Sequence, residues 1–206
     1  MEQVTNANEA VIAVCKSKKN DKDPVVFYAD RFVMKGQTIP YADVDTISVY
    51  AYSTKYSFLC ENFTSWIKMK LRNGQKLKWK SAGMSMFGLG SLKLKKEFYS
   101  DMYEACSVTV INARAAEYIG QIRNGGSVTI GYVTVTKNSV SGKSGLKKAE
   151  IPMSDIGGAD YTGGFVRILQ KDMQHTAVNP IACHLDNAVC LIPIIKALVA
   201  DQGGAQ

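Results

Sequence analysis

The chain has 206 residues, 46% of them hydrophobic and 21% charged, which excludes a disordered chain and allows one large domain or two of about 100 residues each. Lysine and arginine outnumber aspartate and glutamate by 25 to 18, a formal charge of +7; that balance favours polyanions at low salt without choosing between nucleic acid and anionic lipid. No window approaches the roughly 18 apolar residues of a spanning helix. Cys15, Cys60, Cys106, Cys183 and Cys190 are odd in number and form no C-x-x-C pair, so reduced, mostly buried thiols of a cytoplasmic protein are expected.

Residues 1–23 read as an N-terminal segment followed by a polar loop, "KSKKNDKDP", that ends at Pro24. The apolar core "AVIAVC" is short and the lysines follow it, so no secretory signal is expected. From Val25 the text is β-like: "VVFYADRFVMKG" is rich in β-branched and aromatic residues and is cut at Asp30. "QTIPYADVDTISVYAY" continues in the same way. In "SWIKMKLRNGQKLKWK" apolar and basic residues alternate on both sides of an Asn-Gly pair. That pattern predicts a hairpin over residues 66–80, with positive φ at both turn residues. Alternation puts Lys76, Lys78 and Lys80 on one face and Leu77 and Trp79 on the other. Both tryptophans are read as core, and a nucleic-acid stacking platform is not expected.

The connection "AGMSMFGLGSLKLKK" carries Met84, Met86, Phe87, Leu89 and Leu92 among glycines, with Lys93, Lys95 and Lys96 directly after. An apolar loop beside lysines suits either a protein partner or a membrane interface, at roughly 1 kcal/mol per lysine at the headgroups. Residues 92–124 then place Phe98, Met102, Ala105, Thr109, Ala113, Ala116 and Ile119 at helical steps, and Asn124-Gly125-Gly126 is a stop. One long helix is predicted, with "SVTVI" (residues 107–111) as its weak point.

After Gly126 the pattern starts over: strand-like text punctuated by glycine, one more strand in "TAVNPIACHL", and a helix "AVCLIPIIKALVADQ". Asp186 or Asn187 is the predicted cap of that helix, and Pro193 must sit in its first turn to avoid a kink. Ile39-Pro40-x-x-Asp43-Val44 in the first half returns as Ile151-Pro152-x-x-Asp155-Ile156 in the second. The isoleucine would end a strand, the proline would withdraw an amide donor, and the aspartate would bond nearby backbone before the next strand. Asp30 and Asn138 fall at matching hairpin turns upstream. The expected fold class is mainly β with α (α+β), in two units over residues 24–124 and 127–202, each with its own core. The second is shorter, so its sheet lacks strands or has very short hairpins.

An antiparallel sheet closed by a C-terminal helix, with the Ile-Pro-x-x-Asp phrase before a strand, resembles the pleckstrin-homology-like (PH-like) fold. More narrowly it is similar to the bacterial PH-domain proteins. The resemblance implies tandem units, each a curved sheet or partial barrel closed by a helix, acting as a binding scaffold for headgroups, peptides or partner proteins. Members that bind phosphoinositides carry basic residues in the first turn. The first unit offers Asp30 and Arg31 there, and the second offers Lys137, Lys143, Lys147 and Lys148 around its opening strands.

Other chemistry is thin. "SGKSG" (residues 141–145) lacks the first glycine of a phosphate-cradling loop, Lys137 standing in its place. Cys183 and His184 should point to opposite sides of a strand, which works against joint metal ligation. No catalytic residues, metal or cofactor are expected. The expectation is a non-catalytic interaction module with a protein partner or a second copy of itself. The alternative is a peripheral module on an anionic membrane, using residues 84–96 together with Lys76, Lys78, Lys143, Lys147 and Lys148.

Overall fold

The computed structural model describes residues 10–17, 22–57, 60–86 and 92–203. The protein is mainly β with α, in antiparallel sheets. β1 (Ala13–Cys15), β2 (Val25–Phe27), β3 (Arg31–Met34) and β4 (Gln37–Pro40) form one meander. β5 (Val44–Ser57), β6 (Cys60–Leu71) and β7 (Lys76–Met86) form a second. A helix follows, as α1 (Leu92–Cys106) and α2 (Asn112–Arg123). The order then repeats. β8 (Val128–Ile130), β9 (Val133–Val135), β10 (Ser139–Ser144) and β11 (Lys147–Pro152) make a four-stranded sheet. β12 (Ile156–Thr162), β13 (Phe165–Gln170) and β14 (Ile181–Ala182) make a three-stranded one, and α3 (Leu191–Gly203) closes the chain. The second half therefore keeps the strand count of the first and shortens the hairpins.

The repeated phrase has one geometry in both places. Pro40 and Pro152 end their strands at φ −62° and −55°, each at the edge of its sheet, where a missing amide leaves no gap in the ladder. A single 3-10 turn follows, Tyr41–Asp43 in one half and Met153–Asp155 in the other. The Tyr41 N–H donates to the Asp30 carbonyl (2.9 Å) and the Met153 N–H to that of Asn138 (2.7 Å). The Asp43 and Asp155 carbonyls accept from the Arg72 and Lys171 N–H groups, at 2.8 and 2.9 Å. So it is the backbone of each aspartate, not its carboxylate, that ties the corner to the far end of the next hairpin. Tyr41 and Met153 are buried, as are Val44 and Ile156: the phrase turns the chain from one sheet to the next while keeping four apolar side chains in the core.

The Arg72–Gln75 turn departs from the expected form. Gly74 has φ +88° while Asn73 stays at negative φ, and the Asn73 carboxamide oxygen accepts the Gln75 N–H at 2.9 Å. Residues 92–123 are helical throughout, with "SVTVI" forming a π-helical turn between α1 and α2. There the Thr109 hydroxyl donates back to the Ala105 carbonyl, the competition with the main chain that threonine offers in a helix. The apolar stripe leaves this wide turn one position out of phase, so Ala115 and not Ala116 is buried. At the helix end Gly125, at φ +85°, donates to the Ile122 carbonyl and Gly126 to that of Gln121, the paired closure that needs a residue free to enter the left-handed region.

Separate cores were expected for the two halves, and one contiguous cluster is found. It runs from Phe27, Phe32, Ile47 and Met69, through Met102, Val110 and Ile122, to Val135, Ile168, Ile181, Leu191 and Ile195. Tyr103 of α1 packs on Tyr161 of β12 with ring centroids 5.8 Å apart. Arg123 holds Asp201 of α3 through two hydrogen bonds of 2.9 and 2.8 Å. The outer edge of β5 is covered by the segment after β14: the Val49 N–H donates to the Cys183 carbonyl (3.2 Å) and the Asn187 N–H to that of Ile47 (2.7 Å). Pro193 lies in the first turn of α3. Asn187 does not cap that helix; it sits at φ +60° and turns its side chain toward β5. Among the described residues no helix is long and apolar enough to cross a membrane.

Candidate anion-binding face

The register of β5–β6–β7 sorts the long hairpins into two sides. Ile47, Met69 and Leu77 lie in line across the sheet, as do Val49, Ile67 and Trp79. This side is core: Ile47, Val49, Ile67, Met69 and Leu77 are buried. Trp79 is half-buried and meets Phe32 edge-on at 6.2 Å, and Phe63 meets Tyr99 of α1 at 6.2 Å. Period-two geometry then sends the intervening residues to the opposite side. There Thr46, Lys70 and Lys76 form one row, Ser48, Lys68 and Lys78 the next, and Tyr50, Trp66 and Lys80 the third.

Trp66 is therefore not core, in contrast to the expectation for both tryptophans. Its ring stacks on Tyr50 at 5.5 Å and 19°, and the Lys68 ammonium sits 4.0 Å from its centroid. Lys68, Lys70, Lys76, Lys78 and Lys80 are all exposed. Lys70 approaches Asp45 at 3.4 Å; no carboxylate pairs with the other four among the described residues. Lys68 faces Lys78 directly and Lys70 faces Lys76, an arrangement in which like charges repel. An open groove of about 520 Å³ crosses the first two rows, lined by Thr46, Ser48, Lys68, Lys70, Lys76 and Lys78 together with Asp186. Lysines on an edge strand discourage strand pairing between molecules, which accounts for β7. It does not account for Lys68 and Lys70, because β6 is the central strand.

The remaining expected site residues are scattered. Met84 belongs to β7 and not to a loop; it is exposed on the lysine side of the sheet, in line with Asn62. Met86 is the last residue of β7, and Phe87 and Leu89 lie outside the described residues. Leu92 opens α1 and is buried, so it belongs to the core and not to an exposed contact surface. Lys93 pairs with Glu97 one helical turn on. Lys95 donates to the Ala82 carbonyl along the outer edge of β7. Lys96 bonds Glu61 at 2.6 Å, and the Glu61 carboxyl is held below its ordinary range by this hydrogen bond and one from Ser53. Lys95 and Lys96 thus serve to seat α1 on its sheet and leave the expected anion set. Lys143 and Lys148 face each other across the β10–β11 hairpin, while Lys147 points to the other side.

Among the expected anion-binding residues only Lys76 and Lys78 fall in the groove. Lys68 and Lys70 join them there, and Tyr50, Trp66 and Lys80 form the next row on the same side of the sheet. Their signal was the alternation that starts at Trp66, but alternation gives two sets without saying which faces water. Comparison of the chain with protein-family models, curated proteins and solved structures found no match in any of the three.

Proposed function

We propose that the chain is a non-catalytic binding module, built from tandem PH-like units over residues 24–124 and 127–202, that seats on an anionic membrane surface through the lysine face of β5–β6–β7. The observation that carries this reading is the pair of opposed lysine couples, Lys68–Lys78 and Lys70–Lys76, on one open sheet face with Lys80 beside them. An anionic layer relieves repulsion that the protein offsets only in part, through Asp45 beside Lys70 and Asp186 in the groove. At roughly 1 kcal/mol per lysine near an anionic surface, the five contribute about 5 kcal/mol at low salt, falling as charges are screened. Beyond the lysines, Tyr52, Tyr56 and Met84 are exposed at the far end of the same hairpins, and such side chains suit the boundary between headgroups and acyl chains. A nucleic-acid platform is less well supported, because the Trp66 ring is already engaged by Tyr50 and Lys68. The PH-like reading itself is supported by the four-strand, three-strand, helix order occurring twice, with the same corner hydrogen bonds each time.

Vesicle co-sedimentation tests the proposal, with neutral phosphatidylcholine vesicles against vesicles containing phosphatidylglycerol, over a salt series. Binding to anionic vesicles alone is expected, declining with salt. Lys68→Gln with Lys78→Gln removes about 2 kcal/mol, some thirtyfold in affinity. Phe87→Ser separates a contribution of the 84–92 segment from that of the sheet. Binding that ignores both salt and the lysine substitutions would refute the reading.

A further inference from the structure

We infer that the free edge of β1 and the adjacent flank of α1 form a second docking surface, for an extended segment of a partner protein with apolar side chains at alternate positions and a basic residue beside them. β1 pairs with β2 alone, and among the described residues no strand lies along its other side. A groove of about 250 Å³ runs between this edge and the helix, lined by Ile12, Val14, Ala105 and Val108 with Asp101 and Glu104. Val11, Ile12, Val14 and Val108 are each about half exposed. Apolar groups gathered on an unpaired strand edge provide what an added strand uses: main-chain partners and shallow seats for alternate side chains.

The charges select the occupant. Asp101 and Glu104 have no cationic partner among the described residues, and the Asp101 carboxylate helps burial to push the Cys15 thiol up to about 12. A basic side chain answers them. A second copy of the chain fits poorly, because pairing β1 with β1 about a two-fold axis brings two such carboxylate pairs to one interface. Anionic lipid is repelled. The groove also lies away from the lysine face, since α1 packs on the opposite side of β5–β7 through Tyr99 and Phe63. A peptide can therefore be held while the lysine face is occupied, and this surface stands whether or not the membrane reading does.

The test uses the full chain, isotope-labelled for amide NMR, and a synthetic peptide of alternating valine and threonine ending in Arg-Lys. Shifts confined to residues 11–16 and 101–108 are expected, with at least threefold weaker binding by Asp101→Asn/Glu104→Gln and by the same peptide ending in Glu-Glu. The peptide exchange leaves the protein unaltered, so folding does not confuse it. Several outcomes overturn the inference: no shifts, shifts elsewhere, or equal binding of the acidic peptide. It is also overturned if those amides move with protein concentration alone, which means self-pairing.

Discussion

Asn187 is where the second half grips the first, and Asn187→Ala should loosen both. The residue is buried, in the left-handed region at φ +60° and ψ 10°. Its Oδ1 accepts the Ile47 N–H at 2.9 Å, and its Nδ2 donates to the Tyr118 hydroxyl at 2.8 Å and to the Asp45 carbonyl at 3.4 Å. Alanine leaves the Ile47 amide without that acceptor inside the protein, at a cost of about 1–3 kcal/mol. It adds about 1 kcal/mol because a Cβ is strained in a conformation that asparagine tolerates. Tyr118 keeps its bond from Arg114 at 3.1 Å, so little is added there. The sum is about 2–4 kcal/mol, a large share of the 5–15 kcal/mol of a typical domain. Urea unfolding is the assay, followed by tryptophan fluorescence, since Trp66 and Trp79 both lie in the first half, and by far-ultraviolet circular dichroism, which reports both halves. With one contiguous core the two signals should coincide, and the substitution should lower the midpoint by about 1–2 M at an m-value near 2 kcal/mol/M. Asn187→Gly keeps the hydrogen-bond loss without the strain and should fall between wild type and alanine. A cost of Asn187→Ala below about 0.5 kcal/mol, or glycine worse than alanine, would refute the reasoning.

Other consequences are equally direct. A Cβ on Gly157 would stand 2.6 Å from the Gln170 carbonyl oxygen and 3.0 Å from the Lys171 Cα; these are backbone atoms, so Gly157→Ala should cost on the order of 1–3 kcal/mol, read as a lowered unfolding midpoint. Cys60 is the one cysteine with appreciable exposure, the other four being buried. Alkylation of the native protein near pH 8, mapped by mass spectrometry, should label it first, and early labelling of Cys106 or Cys190 would contradict the packing. Burial pushes the Cys15 and Cys190 thiols and the Tyr41 phenol up to about 12, so the folded protein keeps protons that the unfolded chain releases near pH 9–10. This contribution to stability is whole below about pH 9 and is lost as the pH climbs toward about 12. A denaturation midpoint that stays level from about pH 8 to 11 would argue against it.

What could be read from the order of residues was local. The matching turns at Asp30 and Asn138, the Arg72–Gln75 hairpin, the Asn124-Gly125-Gly126 stop and the place of Pro193 involve main-chain groups a few residues apart. The Ile-Pro-x-x-Asp phrase was legible as a local turn, although the bonds that hold its corner reach to Asp30, Arg72, Asn138 and Lys171. Proline fixes φ, while glycine and asparagine open the left-handed region that other residues avoid, wherever they stand, so such features survive without knowledge of the surroundings. Even the weak point of the helix was visible at "SVTVI", whose β-branched residues and Thr109 compete with regular helical bonding, though the one-position slip of the stripe was not. The rest depended on what lies across the core. Alternation divided residues 66–80 into two sets and grouped Trp66 with Lys68 and Lys70. The burial of Ile67, Met69 and Leu77, with Trp79 against Phe32 and Phe63 against α1, decided that the other set is the core and that Trp66 lies outside it. Lys95 and Lys96 look free in sequence and are committed in space to Ala82 and Glu61. Leu92 reads as loop and is buried at a helix start. The joining of two repeats into one core rests on Tyr103 with Tyr161, Arg123 with Asp201, and Asn187 with Ile47. Each pair is far apart along the chain, and contacts of that kind follow from how the sheets and helices pack rather than from the preferences of any one segment.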